Sequence, residues 1–258
     1  MIVSPLLEKT RLINSILQKS SGRYIDFQEI SQVLSEVIQS QVYIIDQEGN
    51  ILGYKLLDEF ECDVLLDTVV SKGRFPERYN DFLLKSDDLR YNLKQKKPVC
   101  AFVENLQCKF PEKYVTIIPI IGGGKRMGTL LLARFNDVFV EDDLILAERG
   151  AAVVGMEFLR EETDRLEQEA RHKAVVKLAV GTLSYSEMEA VQQMFKSINS
   201  DEGFLVASKI ADEIGITRSV IVNALRKLES AGVLESRSLG MKGTYIKVLN
   251  PYLFEYLG

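Results

Sequence analysis

Residues 204–249 read FLVASKIADEIGITRSVIVNALRKLESAGVLESRSLGMKGTYIKVL. Apolar residues at helical spacing (Ile210, Ala211, Ile214) predict a short helix over 208–214, which Gly215 ends. Thr217 is placed to cap the next helix by accepting from an unpaired backbone N–H. That helix is expected to run to 230, with Ile221, Ala224, Leu225 and Leu228 facing a core. Arg218, Ser219, Val222, Asn223 and Arg226 are then left on its outer side. Ala231-Gly232 is a helix stop, since glycine accepts the left-handed conformation there. Runs 233–237 and 244–249 alternate like strands, and the glycines between them predict a hairpin. Helix, tight turn, helix and β-hairpin together make a winged helix-turn-helix, centred on 206–225.

A helix with an apolar back and a polar front fits the major groove of DNA. Here the front offers Arg218 and Arg226 to guanine edges or phosphates, Asn223 to adenine and Ser219 to either. Lys209, Lys227, Arg237, Ser238 and Lys242 are the expected phosphate contacts. The competing readings are a plain helical pair or a winged helix that binds protein. Local charge argues against both: residues 206–248 carry +3 in a chain whose formal net charge is −5. A basic module on an acidic protein is the footprint of double-stranded DNA as partner.

Composition narrows the remaining classes. A length of 258 residues suits two domains. Three cysteines (Cys62, Cys100, Cys108) have no metal-ligand spacing and fit a reducing cytoplasm better than a disulfide framework. His172 is the only histidine, which disfavours histidine metal sites and catalytic triads. Glu8, Lys9 and Arg11 interrupt the first twenty residues, so no secretory signal is expected there. No run is long enough to span a membrane.

The first half reads as α+β. Helices are expected over 6–19 and 27–40, then strands 41–46 and 51–56 around a Gln47-Glu48-Gly49-Asn50 turn. A helix over 59–71 ends at Gly73, and Pro76 is expected at the first position of the next one. Residues 98–103 (PVCAFV) read as a buried strand, and 114–121 and 127–135 as two long ones. The result predicted is a five-stranded antiparallel sheet with flanking helices and one small pocket, as in GAF-type sensors. A long helix starts at 141 and turns almost wholly charged after 161. The expected division is a sensor domain over 1–155, a helical linker over 156–183 and the winged helix over 184–258. Ser184-Tyr185-Ser186-Glu187 fits a capping box at the start of the helix after the linker.

These stretches carry a resemblance. VASKIADEIGITRSVIVNALRKLESAGV with ESRSLGMKGTYIKVLN looks very much like the C-terminal domain of the CodY family. LLEKTRLIN, RFPERY, TIIPIIGGG, MGTLLLAR, EDDLILAE, VVGMEFLRE and LSYSEMEAV resemble the same family along the rest of the chain. The family comprises pleiotropic transcriptional regulators, mainly repressors, of low-G+C Gram-positive bacteria. A homodimer, with higher oligomers left open, is expected because one helix-turn-helix covers a single half-site and the long helix offers a pairing surface, and no enzyme is expected. The resemblance implies response to branched-chain amino acids, isoleucine foremost, and to GTP.

Carried over by position, the family's ligand segment falls on Phe75, Pro76 and Tyr79, with Val99, Ala101 and Val103 as the opposite wall. The family's Arg-Met pair, whose arginine holds the ligand carboxylate, falls on Val64 and Leu65, with one extra residue before Phe75. An aliphatic side chain cannot pair a carboxylate. Backbone N–H groups are the expected donors, with Arg74 or a different ligand as alternatives. Gly122-Gly123-Gly124-Lys125 lacks the spacing of a Walker loop and reads as a hairpin turn, so GTP is implied without residues. A cysteine-dependent GAF enzyme working through Cys62 or Cys100 is the rival reading. Glu61 and Asp63 beside Cys62 would oppose thiolate formation.

Overall fold

Alternation along the strands decides what each half of the first unit can hold. In the computed structural model, strands β1 (Gln41–Asp46), β2 (Ile51–Lys55), β3 (Arg90–Lys94), β4 (Lys113–Gly122) and β5 (Lys125–Phe135) form an antiparallel sheet. Its order is β2-β1-β5-β4-β3. The structure describes residues 4–19, 24–58, 62–94, 98–135, 137–198, 200–240 and 243–257. Within these the chain divides into two compact units, Met1–Glu162 and Thr163–Gly258.

Even-numbered residues (Val42, Ile44, Ile118, Ile120, Leu130, Leu132) face one side of the sheet. Against them pack α1 (Pro5–Lys19), α2 (Phe27–Ile38) and the first half of α5 (Glu141–Gly181), through Ile13, Ile30, Leu34, Ala147 and Val154. Thus α1 packs on its own unit. Gly155 of α5 lies so close to β4 that a Cβ there would strike the Ile121 carbonyl. Odd-numbered residues (Tyr43, Ile45, Ile117, Leu131) face the other side, beneath α3 (Asp63–Leu65) and α4 (Glu77–Leu84). A sheet residue's parity therefore assigns it to the helical core or to the opposite face.

Several sequence expectations need correction here. The strand foreseen over 98–103 is a loop, tied by one isolated bridge between Val99 and Gln107. The fifth strand is instead β3, whose RYNLK sequence is charged and bulged, with Asn92 at φ 51°. Charge and irregularity are how edge strands avoid further pairing, and they also hide a strand from pattern reading. The helix foreseen over 59–71 is α3 followed by a π-helical turn over Leu66–Val70, where Ser71 N–H donates to the Leu66 carbonyl at 2.8 Å. A π-turn is the way a helix absorbs a single extra residue, and the resemblance placed one before Phe75. Residues 59–61 lie outside the described residues. Pro76 precedes α4 with extended ψ (138°), rather than opening it, and its carbonyl accepts from Tyr79 and Asn80. Between β4 and β5 the turn is only Gly123-Gly124, at φ 57° and 77°, the positive angles of a two-residue hairpin.

In the second unit, α6 (Tyr185–Ile198), α7 (Ala207–Ile214) and α8 (Arg218–Ser230) pack on a three-stranded sheet. Its order is β6 (Glu202–Leu205), β8 (Thr244–Val248), β7 (Leu234–Ser238). Strand β6 has only four residues, paired to β8, too short a run to show a pattern in the sequence. The capping box forms as expected: Ser184 N–H donates to Glu187 Oε2 at 2.7 Å, and Glu187 N–H to Ser184 Oγ at 3.3 Å. The charged run after 161 stays helical without a break, so α5 is one helix of 41 residues.

Candidate functional site

The polar front of α8 is set by its back. Ile221, Ala224, Leu225 and Leu228 are buried, while Arg218, Ser219, Val222, Asn223 and Arg226 are exposed. Gly232 N–H donates to the Glu229 carbonyl and Val233 N–H to that of Leu228, closing the helix in a Schellman motif. Thr217 stands at the N-cap, yet its hydroxyl meets Ser219 Oγ at 2.7 Å rather than capping an N–H. Arg218, Asn223, Arg226 and Lys209 make no side-chain hydrogen bond or ion pair with other described residues, so their donors face solvent. Ser238 is exposed at the wing; Arg237 is exposed too, although its guanidinium bonds Glu235 at 2.6 Å. Lys242 lies outside the described residues.

Lys227 corrects the expected phosphate set. Its ammonium lies 2.7 Å from Glu187 Oε2 and 2.9 Å from the Thr182 carbonyl. It joins α8 to the capping box of α6 and is not a free cation. The Lys227 bond, followed by the Ser184 N–H, holds the Glu187 carboxyl below its usual range. Helical spacing placed Lys227 beside Arg226 correctly; only the fold brought a carboxylate forty residues away to it.

On the odd-numbered face of the first sheet lies a cavity of about 110 Å³. Its floor is Gln41 and Tyr43 of β1, Lys113 and Val115 of β4, and Leu131, Ala133 and Phe135 of β5. Val64, Leu65, Phe75 and Tyr79 form one wall, and the loop from Cys100 to Phe110 forms the other. The rings interlock: Phe75 stacks on Tyr79 at 5.5 Å, Tyr43 meets the edge of Phe75 at 5.5 Å, and Phe102 closes on Tyr79 at 5.1 Å. Burial pushes the Tyr79 phenol up to about 12. Burial, then Tyr79 and Cys62, raises that of Tyr43 further, and its hydroxyl donates to Gln41 Oε1 at 3.1 Å. Both phenols are therefore neutral.

Two family models match the chain: the CodY GAF-like domain over residues 5–182 and the CodY helix-turn-helix domain over residues 201–258. The global transcriptional regulator CodY of Clostridium perfringens is 55% identical over 255 residues, 99% of this chain and 98% of that protein. The chain belongs to the CodY family. The regulator of the same name from Brevibacillus brevis is 55% identical over 252 residues, covering 98% and 97% of the two chains. A solved structure from Clostridium difficile, described as the cofactor-binding GAF domain of the nutrient sensor CodY, is 37% identical, with a TM-score of 0.45. It covers 61% of this chain and all of that one. Members of the CodY family are transcriptional regulators and not enzymes, which removes the cysteine-enzyme reading. The helix-turn-helix domain makes DNA the partner.

Within this CodY-family chain the expected ligand residues divide into two groups. Val64, Leu65, Phe75 and Tyr79 line the cavity. Pro76, Val99, Ala101 and Val103 do not: they border an adjoining open groove with Arg78 and Phe82, which shares Tyr79, Cys100 and Phe102 with the cavity. The wall is a loop, so strand parity fails, and the inward residues are Cys100 and Phe102 instead. Arg74 is not a cavity residue either; its Nε donates to the Glu48 carbonyl at 3.0 Å. Sequence reading missed Lys113. The signal was present, because KYVTI puts Lys113 on the same face as Val115 and Ile117. All three cysteines line the cavity. Among the described residues no cluster of His, Cys, Asp and Glu is arranged to hold a metal, and no helix is long and apolar enough to cross a membrane.

Proposed function

We propose that this transcriptional regulator is a nutrient-responsive repressor whose first unit binds a branched-chain amino acid, isoleucine foremost. The observation that carries this reading is the cavity of about 110 Å³, flanked by Phe75, Tyr79 and Phe102 over a mainly apolar floor. A small apolar slot with few polar groups suits a short branched chain and leaves little room for a larger ligand. The relative from Clostridium difficile is described as a cofactor-binding nutrient sensor, which is consistent with an effector in this cavity.

Occupancy shifts the population of forms that present α8 to DNA. Arg218, Ser219, Asn223 and Arg226 read the major groove, while Lys209, Arg237 and Ser238 hold phosphates. A homodimer in the cytoplasm supplies two winged helices for two half-sites. Sensor, linker and winged helix are assigned to 1–155, 156–183 and 184–258. GTP stands in this reading as a second effector with no residues assigned to it, because the glycine stretch that invites it is a two-residue hairpin turn.

The test is DNA-binding affinity for an operator-bearing promoter fragment at fixed salt, titrated with isoleucine. Affinity should rise with isoleucine. Affinity that ignores isoleucine, leucine and valine alike would overturn the effector reading and leave the DNA-binding unit in place.

A further inference from the structure

Lys113 is the one charged residue on the cavity floor, where Gln41 and Tyr43 are the other polar side chains and already bond each other. It opens β4 opposite Phe135, and its face of the strand continues through Val115 opposite Ala133 and Ile117 opposite Leu131. Every other residue in that set is hydrophobic and belongs to the floor or the layer beneath it. Its side chain is half-buried, and its neighbours are poor partners for a cation. The ammonium lies 3.9 Å from Cys108 Sγ and 5.8 Å from the centre of the Phe102 ring. No carboxylate of the described residues pairs with it. Adjacent Glu112 is already bonded to Lys94 across the β3–β4 pair.

A half-buried ammonium gives up part of its hydration, and no counter-ion of the described residues offsets that loss. The cheapest compensation is an anion that arrives with the ligand. The other wall supplies none of this charge: Val64 and Leu65 are aliphatic, and Arg74 faces the Glu48 carbonyl. Lys109 is the only other cation among the residues lining the cavity. It is exposed on the loop and lies over the Phe110 ring at 5.6 Å, whereas Lys113 is fixed in a strand. Asp63, exposed at the start of α3, also borders the cavity and offers an acceptor of opposite sign.

We propose that Lys113 holds the carboxylate of the ligand, so that the cavity selects small aliphatic carboxylates and orients them with the hydrocarbon end against Phe75 and Tyr79. This rests on the amino-acid effector reading above and deepens it. It replaces the expectation that backbone N–H groups supply the carboxylate site.

The test is calorimetric titration of the full chain with isoleucine, with 3-methylpentanoate, which lacks the ammonium, and with 2-methylbutylamine, which lacks the carboxylate. Lys113→Met should weaken isoleucine binding by about 10–100-fold, the range of a charge-assisted hydrogen bond. The Lys113→Arg variant should restore most of the affinity, and Lys109→Met should change it little. Binding of 2-methylbutylamine should not fall in Lys113→Met. Lys113→Gln provides a second neutral variant if the methionine disturbs folding, which thermal melting reports. Wild-type affinity for isoleucine in a folded Lys113→Met or Lys113→Gln protein would overturn the anchor and leave the effector reading intact. Binding of 3-methylpentanoate but not isoleucine, lost in the same variants, would overturn the amino-acid reading and leave the anchor. A wild-type chain that binds none of the three would overturn both.

Discussion

Lys227 and Lys113 have opposite surroundings. Lys227 sits at the surface of the winged-helix unit and is bonded to a carboxylate and a carbonyl. Lys113 sits half-buried in the sensor unit with a thiol and a ring for neighbours. A convex site such as the front of α8 displays its donors to solvent, where an individual cation can join the scaffold without spoiling the rest. A concave site removes its polar groups from water, so each one left unpaired marks a place where a ligand group is due. Charge at the surface is therefore weak evidence of function residue by residue, while charge in a cavity is strong.

Three experiments would break or sharpen this contrast. The largest effect belongs to the hidden side of α8. Ile221 is fully buried, and Ile221→Ala should cost about 2–5 kcal/mol of winged-helix stability. Chemical denaturation checks this; a loss below that range would mean the front of the helix is not positioned by its back. Next comes Arg218→Ala, expected to remove about 1–3 kcal/mol of specific DNA binding with stability unchanged. Competition between operator and scrambled DNA decides it, and unchanged discrimination would remove Arg218 from base reading.

The smallest and most diagnostic effect is a pair of lysines. Lys209→Met should lower the slope of log affinity against log salt by about 1 and leave stability alone. Lys227→Met should do the reverse, costing about 1 kcal/mol of stability and leaving the salt slope alone. Its cost should also depend on pH. The Glu187 carboxyl is held below its usual range, so its contribution is complete above the ordinary glutamate range and disappears as pH falls through the lowered value. The wild-type advantage over Lys227→Met should therefore shrink in acid, which denaturation curves at neutral and low pH would read.

The winged helix was legible because its determinants are local. Spacing of Ile221, Ala224, Leu225 and Leu228 fixes the buried side, and the exposed side follows by subtraction. Gly215 and Gly232 mark helix ends through their own backbone angles, φ 71° and 69°. What escaped was non-local: β6, too short to show a period, and the bond from Lys227 to Glu187. The cavity was harder because residues from three strands, two helices and a loop converge on it. Phe75 and Tyr79 were found through a resemblance, not a pattern. Val99, Ala101 and Val103, carried over by the same resemblance, lie on a loop that turns Cys100 and Phe102 toward the cavity instead. Lys113 was readable from the parity of β4, once a strand was traced one residue further back than its apolar run.

Every thiol of the chain, Cys62, Cys100 and Cys108, is half-buried on the wall of one cavity. The protein thus carries its own occupancy gauge. A small alkylating reagent that enters the cavity meets these sulfurs, and a bound effector would stand in its path. The rate at which the native chain takes up label, followed by mass, would then count vacant sensors directly in a mixed population, with no tag or reporter promoter added.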